Sequence, residues 1–560
     1  MLQAVKQKVV TTLPETTVLA LVRLRHGEQP WQLRLKARTR AALGRPPLDE
    51  SAGRRGMRGE VVTEFDAHQA HRDNIRTVED ILGSAGIDYV AVPGTRGIAR
   101  CLAVSIEDRP AALEALAAVL TEPHWAIQQA QEGVVLSAAG AQRLDDKAIR
   151  ALADADVVQI YRLLAAPTGR ALTGPDLACE VEFWQREDRP NAPREDGGTF
   201  DVGTRISPRK NGVVGYLSSG SWQRATTSPR HWLEDAALPA LTEVREPIDI
   251  VYTWVDGNDP AWLARKSAHT DVDLTAELNS SAVHLSRYVS RDELRYSLRS
   301  VAMYASWARR IYLVTDQQVP SWLNTEHPKI QVVDHKEIFT DTSALPVFNS
   351  HAIESQLHHI EGLSERYLYL NDDVFFGRPV DPELFFHGNG LSKFFPSKAV
   401  LDVDPPSSND LPVMSAAKHN RELIEREFGV TIFNKFKHCP IPQQKSVLLE
   451  LEERFPEIFD RVSRSRFRHP DDLSITSALH HYYAYATGRA VPGSIRYVYQ
   501  DIAREDTRRR LVNLLRERDA DVFCLNDHES PESDMQTQQE ILGEFLQAQF
   551  PIPSPYERES

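Results

Sequence analysis

Cysteine is scarce in this chain of 560 residues. Its four cysteines, Cys101, Cys179, Cys439 and Cys524, lie far apart and form neither a CxxC pair nor a Cys/His zinc spacing. A disulfide framework is not expected in so large a chain, and a reducing compartment is. Long apolar runs are absent: none approaches the ~18 residues that a membrane-spanning helix needs. The first 25 residues hold only a short apolar patch at 18–22, followed by Arg23 and Arg25, without the apolar core or cleavage site of a signal peptide. Net positive charge is lacking as well, and the formal charge of −14 argues against a general nucleic-acid binder. A cytoplasmic protein is expected, able to rest on the inner face of a membrane.

The remaining composition is that of a globular protein long enough for two or three domains. Residues 1–60 read as a partly ordered, solvated leader, because basic side chains are dense from Arg23 to Arg58 and Gly53-Arg54-Arg55-Gly56 is a flexible segment. Residues 61–240 read as a small α/β accessory domain. Within it, 66–84 has helical spacing, with Ile75, Val78, Ile81 and Leu82 on one face. Strands are expected at 87–92, 101–106, 157–164 and 179–184, and a helix at 110–120. Gly94-Thr95-Arg96-Gly97 reads as a turn and 232–241 as a short helix leading out of the domain. No nucleophile–base pair or phosphate loop stands out here.

From Pro247 the pattern becomes strand, helix, strand, strand, helix, strand. The strands are 248–254, 310–315, 329–334 and 366–371, and the helices 291–304 and 349–360. That order implies a doubly wound, mostly parallel sheet. Its most informative stretch is an apolar run, Tyr367-Leu368-Tyr369-Leu370, that ends abruptly in Asn371-Asp372-Asp373 before Val374-Phe375-Phe376. Two adjacent carboxylates between apolar runs are costly to bury unpaired. A hard divalent cation such as Mg²⁺ relieves that cost, and the carboxyl end of a strand in an open α/β sheet is where a metal-nucleotide would sit. The competing reading is a strand-to-turn cap in which Asn and Asp bond their own backbone.

Asp256, Asp259 and Asp316 also fall just past strand ends. Arg291, Arg295 and Arg299, spaced by four, share a helix face that can hold a diphosphate or pair with Glu293. His351, Glu354, Ser355 and His358 share a face of the next helix, but HxxExxxH is not the zinc-protease spacing, so zinc is not expected. A lid or helical insertion follows at 392–437, with a helix at 420–428. Further helices are expected at 445–455 and 473–487, and a strand at 521–527. Residues 531–560 read as a mostly polar tail with an amphipathic helix near 536–550.

Four blocks, taken in order, carry a resemblance. They are Ile248-Asp249-Ile250-Val251-Tyr252-Thr253-Trp254-Val255-Asp256-Gly257; the span 291–323 with Glu293-Leu294-Arg295-Tyr296-Ser297-Leu298-Arg299-Ser300; the span 349–378; and His438-Cys439-Pro440 with Arg468-His469 and Leu525-Asn526-Asp527. Together they resemble the Stealth family of sugar-phosphate transferases, in its bacterial form. The resemblance implies a catalytic domain at 247–530 that is Rossmann-like and glycosyltransferase-A-like; the chemically silent accessory domain is expected to scaffold the site or contact the acceptor. It implies transfer of a hexose or HexNAc 1-phosphate from a UDP-sugar, UDP-GlcNAc or another UDP-hexose, to a hydroxyl of a growing glycan. The product is a phosphodiester, the leaving group is UMP, and the setting is capsule or exopolysaccharide synthesis.

The resemblance further implies catalytic roles for Asp372, Asp373, His438 and Arg468. Mg²⁺ (or Mn²⁺) would be held by Asp372, Asp373, Asn526 and Asp527. Tyr252, Thr253, Trp254, Asp256, Arg295 and Arg299 would bind the donor. No nucleic-acid partner is expected, and a peripheral contact with membrane-bound polysaccharide machinery is. Two other readings stay open: a metal-dependent glycosyltransferase that releases UDP from the same cleft, and a non-catalytic glycan-binding assembly factor.

Overall fold

The computed structural model describes residues 57–93, 100–130, 141–209, 214–229, 231, 240–270, 288, 290–407, 409–527 and 535–558. The leader up to residue 56, the turn at 94–97 and most of the helix expected at 232–241 lie outside the described residues. The chain divides into two compact units, one drawn from Pro30–Ala240 and the other from Leu241–Ser560.

In the first unit, strand Cys179–Arg186 pairs in parallel with Arg100–Ser105 and antiparallel with Val157–Arg162, while Arg100–Ser105 pairs antiparallel with Tyr89–Pro93. Helix Ala67–Ser84 starts at Asp66, whose carboxylate accepts from the amides of His68 and Gln69. Its apolar face buries Ile75, Val78, Ile81 and Leu82 in one core with Leu113 and Leu116 of helix Arg109–Val119. The acids of the sheet are compensated rather than exposed: Glu180 and Glu182 both pair with Arg209.

The second unit is built on a sheet that starts with β1 (Ile248–Thr253). Helix α1 (Pro260–Ser267) follows it, and after helix α2 (Glu293–Tyr304) come β2 (Ile311–Thr315) and β3 (Ile330–Asp334). The chain then returns through α3 (Ser350–Glu354) to β4 (Arg366–Asn371), turns at Asp372 and Asp373, and leaves along β5 (Val374–Phe376). Helix α4 (Pro412–Phe428) and strand β6 (Ile441–Gln444) follow. The strand order is β3-β2-β1-β4-β6, with β1 to β4 parallel and β6 antiparallel to β4. Strands β1, β2 and β4 are buried along almost their whole length, as central strands of a parallel sheet are. Asp249 breaks the run and is fully buried, but Arg309 Nε (2.8 Å) and the Ser364 amide (2.7 Å) satisfy its carboxylate.

Because β2 and β3 run out on one side of β1 and β4 returns on the other, the winding reverses between β1 and β4. At the carboxyl ends of that pair Thr253 lies in register with Asn371. An open α/β sheet forms its ligand crevice at such a switch point.

Three expectations needed adjustment. The helix expected at 349–360 breaks after Glu354 and resumes only as a short 3₁₀ turn, Leu357–His359. The Gln356 side chain bonds Ser355 O and Oγ, and Ser355 Oγ bonds Ala352 O, so side chains compete for the groups that would continue the helix. The helix expected at 473–487 opens as a π-turn, Ile475–Leu479, before α6 (His480–Ala486), with α5 (Lys445–Arg454) preceding both.

The supposed polar tail is packed. Strand β5 joins a three-stranded sheet with β7 (Tyr497–Asp501) and β8 (Val522–Asn526), and α7 (Met535–Gln549) buries Leu542, Phe545 and Leu546. Phe550, fully buried, stacks on Phe375 at 5.9 Å and on Phe523 at 6.1 Å.

Candidate active site

A chain of hydrogen bonds runs along the switch point. Thr253 Oγ1, at the end of β1, lies 2.9 Å from the Tyr369 hydroxyl of β4. That hydroxyl is 2.8 Å from Asn371 Oδ1 and 3.2 Å from Glu354 Oε1 of α3. Asn371 Nδ2 then meets His438 Nε2 at 3.1 Å, and Asp373 Oδ1 lies 3.4 Å from the same ring nitrogen. Asp373 Oδ2 accepts from Asn526 Nδ2 at 2.9 Å and from the Cys524 thiol at 3.3 Å. His438 Nε2 therefore stands between a donor, the Asn371 amide, and an acceptor, the Asp373 carboxylate. A neutral ring can accept from Asn371, and a protonated ring can donate to Asp373.

Charge is crowded here. Burial works to raise the Asp373 pKa, yet the His438 charge and the bonds from His438, Asn526 and Cys524 hold it below the usual carboxylate range. Burial works to lower His438, but Asp373 outweighs it and pushes the imidazole above its ordinary value. Asp372 goes the other way: burial, then Glu293, then Asp373 push it well up. Glu293, at the start of α2, is pushed up to about 7 by burial, with Arg291 opposing and Asp373 adding. Three carboxyl groups thus crowd one buried place with too little positive charge among them.

Arg468 reaches the same neighbourhood from beyond the sheet. Asp472 Oδ2 accepts from Asn349 Nδ2 at 2.8 Å and from the His469 amide at 2.9 Å, which fixes the segment against the start of α3. Arg468 Nη2 donates to Ser350 Oγ at 2.8 Å, while its buried Nε has no hydrogen-bond partner among the described residues. Burial lowers its pKa, with Glu354 opposing.

The other expected site residues are placed less openly. Tyr252 is fully buried, and its hydroxyl meets Ser297 Oγ at 2.7 Å, which donates to Val374 O; the residue ties β1, α2 and β5 together. Trp254 has a buried indole nitrogen without a partner among the described residues. Asp256 accepts from the Asn258 amide at 2.9 Å, which closes the turn after β1. Arg295 and Arg299 do not line the switch point with open guanidinium groups: both pair with Glu557, at 2.7 and 2.8 Å, and Arg299 Nη1 also donates to Phe550 O. Asp527 is held by Arg291 at 2.5 Å, a pair almost wholly buried.

His351, Glu354 and His358 diverge to Asp472, to Tyr369 and Ser477, and to Glu452 respectively. Glu293, Asn371, Tyr369, Glu354 and Cys524 join the site without having been expected there. Asn371 carried a signal in its place beside the Asp pair at a strand end, whereas Glu293 and Glu354 were marked only as members of helix faces. Asp373, His438 and Cys524 present ligand-type atoms within 4.8 Å of one another, so the site contains a group able to hold a metal ion.

Four regions described as "Stealth protein" conserved regions match the chain. Conserved region 1 covers residues 246–268, region 2 covers 287–394, region 3 covers 437–485 and region 4 covers 513–560. A protein named exopolysaccharide phosphotransferase SCO6023, from Streptomyces coelicolor, is 46% identical over 496 residues, which is 87% of this chain and 82% of that protein. The chain belongs to the Stealth family. The exopolysaccharide phosphotransferase CpsY of Mycobacterium tuberculosis is 36% identical over 510 residues, 90% of this chain and 92% of that protein. Among solved structures, a galactosyltransferase, LgtC, in complex with donor and acceptor sugar analogs overlaps 53% of this chain and 95% of its own at 10% identity. Its TM-score is 0.27, and a likeness so loose carries no conclusion.

The Stealth regions meet in space at the chain of contacts described above: Thr253 comes from region 1, Tyr369, Asn371 and Asp373 from region 2, His438 from region 3, and Cys524 and Asn526 from region 4.

Proposed function

We propose that this Stealth protein is a phosphotransferase of exopolysaccharide or capsule synthesis that moves a sugar 1-phosphate from a UDP-sugar to a hydroxyl of a growing glycan. The observation that carries this reading is the convergence of all four family regions on His438 and the carboxylates at the switch point. The names of the relatives support the reaction class. The donor, the acceptor and release of UMP are the finer part of the proposal.

The residues suit the step. The acceptor oxygen attacks the phosphorus that bears the sugar, and the bond from that phosphorus to the bridging oxygen breaks, so that UMP leaves with the electron pair. The acceptor's proton goes to His438 Nε2. Asn371 holds that nitrogen as an acceptor before transfer, and Asp373 stabilises the imidazolium after it. Arg468, with a buried unpaired Nε, offers a planar fork to the phosphoryl oxygens. Trp254 and Thr253, at the carboxyl end of β1, would contact the donor.

The carboxylates fit a divalent cation, Mg²⁺ or Mn²⁺. Asp373 Oδ1 is buried with only the 3.4 Å approach of His438 Nε2 to offset it, and burial, then the neighbouring Glu293 and Asp373 carboxylates, push Asp372 toward the protonated form. Asp372 and Asp373 would hold the ion, with Asn526 beside them and Glu293 as an added ligand. Asp527 has its Oδ2 committed to Arg291. When bound, such an ion neutralises the charge that develops between the two phosphates.

The test is product analysis. The protein is incubated with UDP-GlcNAc, or another UDP-hexose, and an acceptor glycan. UMP should form in step with a new phosphodiester seen by phosphorus NMR. Release of UDP with no phosphorus in the glycan would make the protein a glycosyltransferase instead.

A further inference from the structure

A second convergence of ligand-type atoms lies outside the candidate active site. His358 and His359 sit on the 3₁₀ turn that leads into β4, and Glu452 on α5. His358 Nε2 and His359 Nε2 both lie 2.8 Å from one oxygen, Glu452 Oε2. The rings are close, with centroids 4.1 Å apart. His359 Nδ1 lies 3.0 Å from Ile338 O. A carbonyl only accepts, so Nδ1 carries the hydrogen and a neutral His359 presents a bare lone pair at Nε2. That lone pair points at a carboxylate oxygen, and two lone pairs at hydrogen-bond distance repel unless a positive centre stands between them. A backbone-tethered Nδ1–H is also the arrangement that sets a histidine for metal binding through its other nitrogen. His358 is fully buried and its Nδ1 has no hydrogen-bond partner among the described residues, while its Nε2 is engaged by Glu452. Glu452 is 24% exposed, which leaves water access to one side.

We propose that His358, His359 and Glu452 form a metal site for a borderline transition cation of the Zn²⁺ class, distinct from the cation site at the switch point. Two imidazoles and one carboxylate form a ligand set suited to zinc, with solvent in the fourth position. Tetrahedral binding at ~2.0–2.1 Å puts ligand atoms ~3.3 Å apart, so the 2.8 Å contacts open by about 0.5 Å, a shift within reach of the Glu452 side chain. Lys445 lies near enough to oppose a cation, which makes the carboxylate indispensable. The ion would pin the turn that feeds β4 to α5, the helix that follows β6. It would thereby tie β4, the strand that leads into the turn of Asp372 and Asp373, to the segment that begins at His438. This site stands or falls independently of the proposed reaction.

The experiment is a Zn²⁺ titration of chelator-stripped full-length protein, in excess MgCl₂ and in a Cys524→Ser background that removes the thiol of the other cluster. Bound metal is read by mass spectrometry and melting temperature. Stoichiometric Zn²⁺ with a rise in melting temperature is expected. Affinity should fall ~100-fold or more in Glu452→Gln, a partly exposed position whose amide keeps the shape of the carboxylate, and in His359→Asn. Cobalt loading of the unmutated chain gives a second readout: the expected spectrum has d–d bands without thiolate charge transfer. No Zn²⁺ uptake, or uptake unchanged in both variants, would show that the positive centre is a proton on His359 and overturn the proposal.

Discussion

Two neighbours compete for one ring nitrogen of His438, and the proposed role as base rests on that competition. If His438 takes the acceptor's proton, His438→Ala should lower turnover by roughly 10²–10⁴-fold and leave the donor Kd nearly unchanged. A strong loss of donor affinity at an unchanged saturating rate would make it a donor contact. Asp373→Asn keeps the shape but removes the charge that would serve both the proposed cation and the imidazolium. It should abolish turnover and weaken Mg²⁺-dependent donor binding in a folded protein, as read by calorimetry; near-normal activity in the Asp372→Asn, Asp373→Asn double variant would sink the assignment. Arg468→Lys should also fail, because an ammonium cannot reproduce the guanidinium fork. Sequence alone marked Asp372, Asp373, His438 and Arg468 through local context and resemblance. It could not mark Glu293, because what matters about Glu293 is its closeness to Asp372, some eighty positions along the chain. Asn371 was visible only as a turn residue; its hold on His438 spans 67 positions.

Elements were legible where a period or an abrupt change of polarity defined them. The strands ending at Thr253, Thr315, Asp334 and Asn371 stand within about a residue of expectation at each carboxyl end, since a buried parallel strand is an apolar run with a sharp stop. Helices were less secure where side chains compete with the backbone, as after Glu354, or where a π-turn absorbs an extra residue, as before α6.

Helix α6 also carries a pH sensitivity that no pattern announces. His481 is buried against Phe394 and Phe436, and burial pushes its pKa down to about 3; His480 is lowered too. The unfolded chain takes up a proton near pH 6.5, while the folded one resists until about 3. Stability should therefore fall as pH drops through that window, by up to about 1.4 kcal/mol per unit for His481. His481→Phe should lose less stability than the unmutated chain between neutral and mildly acidic pH, as read from urea midpoints. Equal slopes in the two proteins would mean that the ring is not held neutral.

At the scale of the whole second unit, the two arginines that sequence spacing offered to a diphosphate are instead the clasp of the C-terminal segment. Arg295 and Arg299 lie some 260 positions before Glu557, a separation that no local pattern can bridge. The clasp is almost buried: the side chains of Arg299 and Glu557 are 7% and 5% exposed. Beside it, Phe550 stacks under the strands that carry Val374 and Cys524, next to the turn of Asp373. Removing one partner of a buried pair leaves an uncompensated charge, at a cost of roughly 3–5 kcal/mol, whereas removing both can cost little. Glu557→Met should therefore lower the urea midpoint strongly. Adding Arg299→Met should recover part of that loss rather than add to it, which a double-mutant cycle would register as a coupling of about 1–3 kcal/mol. A chain ending at residue 530 should lose its cooperative transition altogether, because Phe550 and α7 leave with the clasp. The opposite pattern also has a clear meaning: if Arg299→Met raises the donor Kd and leaves the midpoint unmoved, the guanidinium serves the diphosphate after all, and the pairing with Glu557 must give way when the donor binds.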